Sequence, residues 1–216
     1  MRNIILIAAP AAGKGTVSEE LVSKYHYTHI STGDILRDMS KSDDEFGHNL
    51  AYLLQSGALV NDEIVYEAVK RRLSKNDINN GFILDGFPRN ISQAKEYDKI
   101  LKEIDKDLGV VIYLDVSKDI LQKRITGRRI CKGCGSTYNV LTGVNVPKKD
   151  GICDKCGEKL YQRSDDNIES FENRYQTFME KTYPLVKFYE DRNILYRVKS
   201  LDPDDTFKEV ERIING

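Results

Sequence analysis

Residues 4 to 16, IILIAAPAAGKGT, run an apolar strand into a turn of small residues that delivers Gly13, Lys14 and Thr16 to a helix start. That chemistry suits a polyphosphate. Small residues let backbone N–H groups close around phosphate oxygens, the first helical turn adds orphan donors and a positive dipole end, and Lys14 supplies a mobile cation. The stretch departs from the spacing G-x-x-x-x-G-K-[ST]: Ala8 takes the first glycine position, Ala11 a further one where glycine is common, and Gly15 the hydroxyl position, which moves to Thr16. A second reading is a secretory leader, since Met1, Arg2, an apolar run and an alanine-rich end fit one too. Cleavage near Ala12 would remove the first strand and leave the helix from Lys14 to Tyr25 without its lead-in.

All four cysteines fall into two pairs, Cys131-x2-Cys134 and Cys153-x2-Cys156, separated by 18 residues. This spacing predicts a four-cysteine zinc knuckle, in which two tight turns each present two thiolates to a tetrahedral ion. Such a zinc is structural, because four thiolates close its coordination shell. Disulfides are the alternative and require an oxidising compartment. Zinc knuckles also bind nucleic acid, against which stand the missing basic excess and the position of this one inside an α/β chain.

Arginines surround the cysteine loop. Arg124, Arg128 and Arg129 lead into it, Arg163 leaves it, and Arg174 follows on the next helical pattern. A hinged flap carrying planar guanidinium forks can neutralise a polyphosphate and exclude water together. The plainer alternative pairs them at the surface with Asp165, Asp166 or Glu172.

The elements that must position these groups alternate. Strand-like runs at Asn3 to Ala8, Tyr27 to Ile30, Phe82 to Leu84, Val110 to Asp115 and Leu195 to Val198 are separated by helical patterns, which predicts a parallel sheet covered by helices. Two excursions interrupt the alternation: a helical one from Thr32 to Leu59, and the Gly-, Cys-, Lys- and Asp-rich stretch from Gly127 to Ser164. A chain of 216 residues can bury a full core in one domain with insertions. Its 33 basic and 34 acidic residues give a net charge of −1, so no general pull toward nucleic acid or membrane is expected. No apolar run reaches transmembrane length, and a cytoplasmic monomer is the expectation.

Two more segments carry specific patterns: HISTGDILR from His29 to Arg37, and GFILDGFPRNISQA from Gly81 to Ala94. Together with APAAGKGT, ITGRRIC and YQRSDDN, they make the chain resemble the adenylate kinases over essentially its whole length, and among them the bacterial type with a long zinc-bearing lid. The resemblance implies a P-loop nucleoside monophosphate kinase fold, an α/β architecture with a five-stranded parallel sheet flanked by helices. It implies a core of residues 1–30, 61–126 and 165–216, an AMP-binding flap of residues 31–60 and a lid of residues 127–164. The implied activity is reversible, magnesium-dependent phosphoryl transfer from ATP to AMP giving two ADP, in the service of adenine nucleotide homeostasis.

Carried over by position, the resemblance wraps Ala11, Ala12, Gly13, Lys14, Gly15 and Thr16 around the ATP phosphates and brings Thr137 and Tyr138 to ATP from the lid, with Asp202 near adenine. It assigns AMP to Thr32, Arg37, the backbone of Ala58, Leu59 and Val60, the turn Gly86, Phe87, Pro88 and Arg89, and Gln93 at the adenine edge. Arg89, Arg124, Arg128, Arg163 and Arg174, with Lys14, would gather on the transferring group.

The attacking atom would be an AMP phosphate oxygen, anionic near neutral pH because its second pKa is about 6, so no side chain has to remove a proton. Without a hydroxyl at residue 15, magnesium cannot be held as in the generic loop. Asp85 and Asp34 are the candidates, acting through water, and Asp34 has helix N-capping as its alternative role. Rival functions are a kinase for UMP or CMP, which Thr32 and Gln93 disfavour, and a zinc protein that binds nucleotide or nucleic acid without turnover. Val17 and Asn90 replace the family's commoner Gln and Thr, and Ala8 and Ala11 add methyl groups where backbone meets phosphate.

Overall fold

The computed structural model describes residues 2–56, 60–78 and 80–216. Ala58 and Leu59, two of the backbone positions assigned above to AMP, lie outside the described residues.

The strands are β1 (Ile4–Ala8), β2 (Thr28–Ser31), β3 (Phe82–Asp85), β4 (Val110–Asp115), β5 (Arg128–Cys131), β6 (Thr137–Asn139), β7 (Leu160–Tyr161) and β8 (Leu195–Lys199). The helices are α1 (Lys14–Tyr25), α2 (Thr32–Met39), α3 (Glu45–Ser56), α4 (Asp62–Leu73), α5 (Ile91–Glu103), α6 (Lys118–Gly127), α7 (Ile168–Thr177), α8 (Pro184–Glu190) and α9 (Pro203–Asn215). A short 3-10 turn covers Asn76–Ile78, and a π-helical turn, Phe178–Thr182, joins α7 to α8.

Five strands form an all-parallel sheet in the order β2-β3-β1-β4-β8. Parallel neighbours need crossovers, and the helices that supply them cover both faces, so the strands read as unbroken apolar runs instead of alternating ones. β1 shows this best: all five residues of IILIA are buried, with β3 on one side and β4 on the other. The leader reading of this stretch is therefore overturned, because its apolar run is the middle of the sheet. Helices dock through stripes at helical spacing, as with Ala94, Tyr97, Ile100 and Leu101 on α5 and Val210, Ile213 and Ile214 on α9.

Strand order decides where a ligand fits. The connection leaving β1 leads through α1 to the β2 edge, whereas the chain after β4 builds toward β8 at the opposite edge. The two diverge past the carboxyl ends of adjacent strands, which opens a crevice there. The phosphate loop, the Asp85–Gly86 turn and the Ser200 segment all lie at this end of the sheet.

The cysteine loop folds as a small antiparallel sheet, β6-β5-β7, which the sequence pattern did not indicate because its strands span only two to four residues. The first excursion is α2 and α3, as expected of a helical stretch amphipathic only in pieces.

Candidate active site

The loop between β1 and α1 leaves its donors open. Ala11 has φ 66° and Gly13 φ 104°, so two residues of the turn are left-handed and the backbone curls back on itself. Successive turns of this kind aim N–H groups into a concavity that receives anions. Gly13 caps α1 with no side chain, and the first turn of α1 carries no acidic residue. Other helices close their own ends: the side chains of Ser31, Asn61, Asn90, Asn167 and Asp202 accept from the first turns of α2, α4, α5, α7 and α9. The start of α1 thus keeps its orphan donors and dipole for something outside the chain.

Two side chains brace this loop from behind. Ser200 Oγ donates to the Ala12 carbonyl at 2.8 Å, and a Cβ on Gly13 would stand 3.3 Å from that same Oγ. Arg124 donates to the carbonyls of Ala12 at 3.3 Å, Ser200 at 2.7 Å and Leu201 at 2.8 Å. The structure therefore gives Arg124 a bracing position against backbone carbonyls beside the phosphate loop. Ser200 was not singled out from the sequence, where a serine after a strand carries no signal.

Across the crevice, Lys14 Nζ lies 3.3 Å from Asp85 Oδ1, and His29 Nε2 lies 3.7 Å from Asp85 Oδ2. Burial pushes the Asp85 carboxyl up, but the neighbouring His29 imidazole and the Lys14 charge outweigh it and hold the pKa at about 2. Asp85 is thus an anion throughout the neutral range. Asp34 pairs with Arg37, and that hydrogen bond is the main cause holding its carboxyl below the usual range. The N-cap of α2 is Ser31, which accepts from the Asp34 N–H at 3.3 Å, so the capping role considered for Asp34 belongs to Ser31. Thr32 is buried and donates to the Asp85 carbonyl at 3.3 Å.

The turn Gly86 to Arg89 packs closely against these groups. Gly86 has φ 81°, and a Cβ there would sit 2.8 Å from Thr32 Oγ1 and 3.3 Å from Arg89 Nη2, so glycine is required on both counts. Arg89 is held on three sides: its N–H donates to Gln93 Oε1 at 2.7 Å, its Nε to the Gly86 carbonyl at 2.8 Å, and its carbonyl accepts from Thr182 Oγ1 at 2.9 Å. Burial lowers the Arg89 pKa, with the Asp85 charge opposing it and the Arg174 charge adding to it. Arg89 as a whole residue is nonetheless exposed. Gln93 Nε2 donates to Asp62 Oδ1 at 2.6 Å. Phe87 is buried, edge-on to Tyr66 and Tyr97.

At the root of the cysteine loop Arg128 grips Asp166 with two prongs, Nε to Oδ2 at 2.9 Å and Nη2 to Oδ1. Arg174 Nη1 lies 3.1 Å from Asp165 Oδ2. The pairing alternative therefore holds for both arginines, although Glu172 pairs with Lys118 instead. Arg129 donates to the carbonyls of Thr126 and Arg128, which leaves it a local fastening for the hinge. Arg163 is exposed and makes no side-chain hydrogen bond among the described residues.

The four cysteine Sγ atoms all lie within 4.8 Å of one another, and none is bridged. The disulfide alternative is not what the fold builds. Closest approaches are 3.3 Å for Cys131 to Cys156 and 3.5 Å for Cys134 to Cys153. Ligands about 2.3 Å from a tetrahedral ion stand about 3.8 Å apart, so the cluster fits one metal ion. Tyr138 turns inward: it is buried, its hydroxyl is 3.4 Å from Cys153 Sγ, and it accepts from the Asp154 N–H at 2.8 Å. Thr137, on the same strand, stays exposed. Asp202 caps α9, accepting from the N–H groups of Asp204 and Asp205.

Comparison with known proteins shows the family. The sequence pattern of the family described as Adenylate kinase matches residues 6–194. The adenylate kinases of Thermosipho africanus (strain TCF52B) and Thermosipho melanesiensis (strain DSM 12029 / CIP 104789 / BI429) are each 46% identical over 213 residues, 98% of this chain and 99% of the relative. That of Geobacillus sp. (strain WCH70) is 43% identical over 215 residues, 99% of each chain. Identity of this extent, over a parallel sheet with an open phosphate loop at its switch point, shows that the chain belongs to the adenylate kinase family.

Proposed function

We propose that the chain performs reversible phosphoryl transfer between ATP and AMP, giving two ADP, with the division of labour its site suggests. The observation that carries this reading is the open start of α1, where Ala11 and Gly13 turn backbone donors outward that no side chain caps, beside Lys14, whose only carboxylate partner among the described residues is Asp85 across the crevice. The ATP phosphates settle there. Lys14 leaves Asp85 for the β- and γ-oxygens, and Gly15 and Thr16 add donors from the first turn.

AMP binds on the other side of the crevice, with its phosphate between Arg37 and Arg89 and its base toward Gln93, Thr32 and Val60. One AMP phosphate oxygen attacks the γ-phosphorus while the bond to the β–γ bridging oxygen breaks, and that oxygen leaves on ADP. No proton has to move first. Catalysis therefore reduces to alignment and charge, supplied by Arg89 on the rigid turn and by Arg128, Arg163 and Arg174 as the lid descends. Magnesium, when bound with ATP, would neutralise the phosphates, and Asp85 and Asp34 would hold it through water. Zinc is the ion that best suits four thiolates, and its role is to hold the 127–164 lid in shape.

Coupled assays with ATP and each of AMP, CMP and UMP test the reading. AMP is expected to be the preferred acceptor by orders of magnitude, and a folded, metal-loaded protein that prefers CMP or UMP would contradict it.

A further inference from the structure

The side-chain amide of Gln93 is wired so that it cannot turn over. Its Oε1 accepts from the Arg89 N–H at 2.7 Å and its Nε2 donates to Asp62 Oδ1 at 2.6 Å. A backbone N–H can only donate and an ionised carboxylate can only accept, so the chemistry of the partners alone sets which end is oxygen and which is nitrogen. Rotating the amide by half a turn would put Oε1 against the Asp62 carboxylate and Nε2 against the Arg89 N–H. Both hydrogen bonds would become repulsive contacts.

The neighbours that define this lock are themselves held. Asp62 opens α4 directly after its N-cap Asn61, and Tyr66, one turn on, donates to Asp62 Oδ2 at 3.4 Å. Arg89 is pinned through its carbonyl by Thr182 as well as through its N–H. Gln93 lies in the first turn of α5 behind the Asn90 cap, which accepts from the Gln93 N–H at 2.8 Å. Each amide atom keeps one further bonding site, a second lone pair on Oε1 and a second hydrogen on Nε2.

We infer that Asp62 is a specificity-determining positioning residue: by fixing the Gln93 amide it makes the acceptor site demand a base that offers an acceptor beside an amino donor, and reject a 6-oxo base. This rests on the proposal that Gln93 faces the acceptor base. Adenine presents its ring N1 as acceptor and its 6-amino group as donor, matching Nε2 and Oε1. Hypoxanthine has the same shape with the pattern reversed, N1–H as donor and O6 as acceptor. A free glutamine would serve either base by flipping. The locked one serves only the first, and a site whose buried polar groups are left mismatched discriminates far more strongly than one that senses size.

The test compares AMP with IMP as phosphoryl acceptors in the zinc-loaded protein and its Asp62→Asn, Asp62→Ala and Gln93→Leu variants, with melting temperature and KM for ATP followed in parallel. Asparagine keeps the size of Asp62 but offers either a donor or an acceptor, so the Asp62 end of the lock is released while the packing stays and only the Arg89 N–H still opposes a flipped amide. The expected result is that the ratio of kcat/KM for AMP over IMP falls about 3-fold or more in Asp62→Asn, equivalent to about 0.6 kcal/mol, because one of the two contacts that fix the amide is lost, with KM for ATP unchanged. Gln93→Leu lowers the same ratio by weakening AMP. If Gln93→Leu lowers the ratio and Asp62→Asn leaves it as it was, the role inferred for Asp62 is wrong and the placement of Gln93 stands. If neither variant moves the ratio, the placement of Gln93 at the base is wrong, and the inference falls with it.

Discussion

Arg128 and Asp166 face each other at the root of the cysteine loop through two parallel contacts, and the Asp166 side chain is fully buried while the Arg128 side chain keeps 20% of its surface in solvent. An arginine on a flap, read from sequence as a phosphate ligand, is in this state also the counter-ion of a carboxylate with no access to water. Arg128→Ala should therefore damage two properties together. Removing one partner of a buried pair costs about 3–5 kcal/mol, and removing a guanidinium from the reacting phosphates costs turnover as well. Denaturant melts and turnover of Arg128→Ala and of Arg128→Ala with Asp166→Asn check this: the double variant should regain stability and stay slow. A single variant as stable as the parent would show that the pair contributes nothing to the fold.

Arg89 should behave differently. Its side-chain hydrogen bond goes to the Gly86 carbonyl, it makes no ion pair among the described residues, and as a residue it is exposed. Arg89→Ala is expected to lower kcat by about 10²- to 10³-fold, in line with the loss of one preorganised donor to developing charge. The melting temperature should move by only a few degrees. Near-native turnover in a folded variant would remove Arg89 from the catalytic set.

Ala11 adopts φ 66°, a left-handed conformation that costs an L-residue with a Cβ about 1–2 kcal/mol. Ala11→Gly relieves that strain at an unfolded-state cost of about 0.5–1 kcal/mol. Stability should therefore stay level or rise slightly, while ATP binds more tightly because the loop can move its N–H groups onto the phosphates. Ala8 ends β1, is buried and lies in register with Leu114, so Ala8→Gly should destabilise without helping ATP. Titration of ATP into both variants separates the two effects, and an unchanged affinity in Ala11→Gly would mean that the loop is already adapted to alanine.

Metal removal tests the lid. Cys131 and Cys153 are buried among the lid strands, and the cluster ties the β5 end to the turn before β7. Stripping the ion should expose residues 127–164 to protease while the five-stranded core keeps its protection, because metal binding and local folding are one equilibrium here. Metal analysis after gentle, chelator-free purification should find close to one zinc per chain, and a lid equally protected without metal would refute its structural role.

Much of this molecule was legible because its signals are local. The apolar runs of β1 and β4 and the small residues before Lys14 announce the sheet and the loop, and the paired Cys-x2-Cys turns announce the lid cluster. What escaped was set by partners distant in the chain. Ser200 reaches Ala12 across 188 positions, Thr182 reaches Arg89 across 93 and Gln93 reaches Asp62 across 31. Nothing in the local pattern of a serine, a threonine or an aspartate tells which carbonyl or amide the fold will bring to it. The short lid strands were hidden for another reason: two to four residues are too few to show a period of two.

The most direct test of the whole account is the stoichiometry of the reaction, followed by phosphorus NMR with zinc-loaded protein, magnesium, ATP and AMP. The account predicts that both nucleotides disappear together, that two ADP form for each pair consumed, and that the reverse reaction regenerates ATP and AMP from ADP. Binding of both nucleotides by the folded protein with no ADP formed, or release of inorganic phosphate in place of transfer, would contradict it.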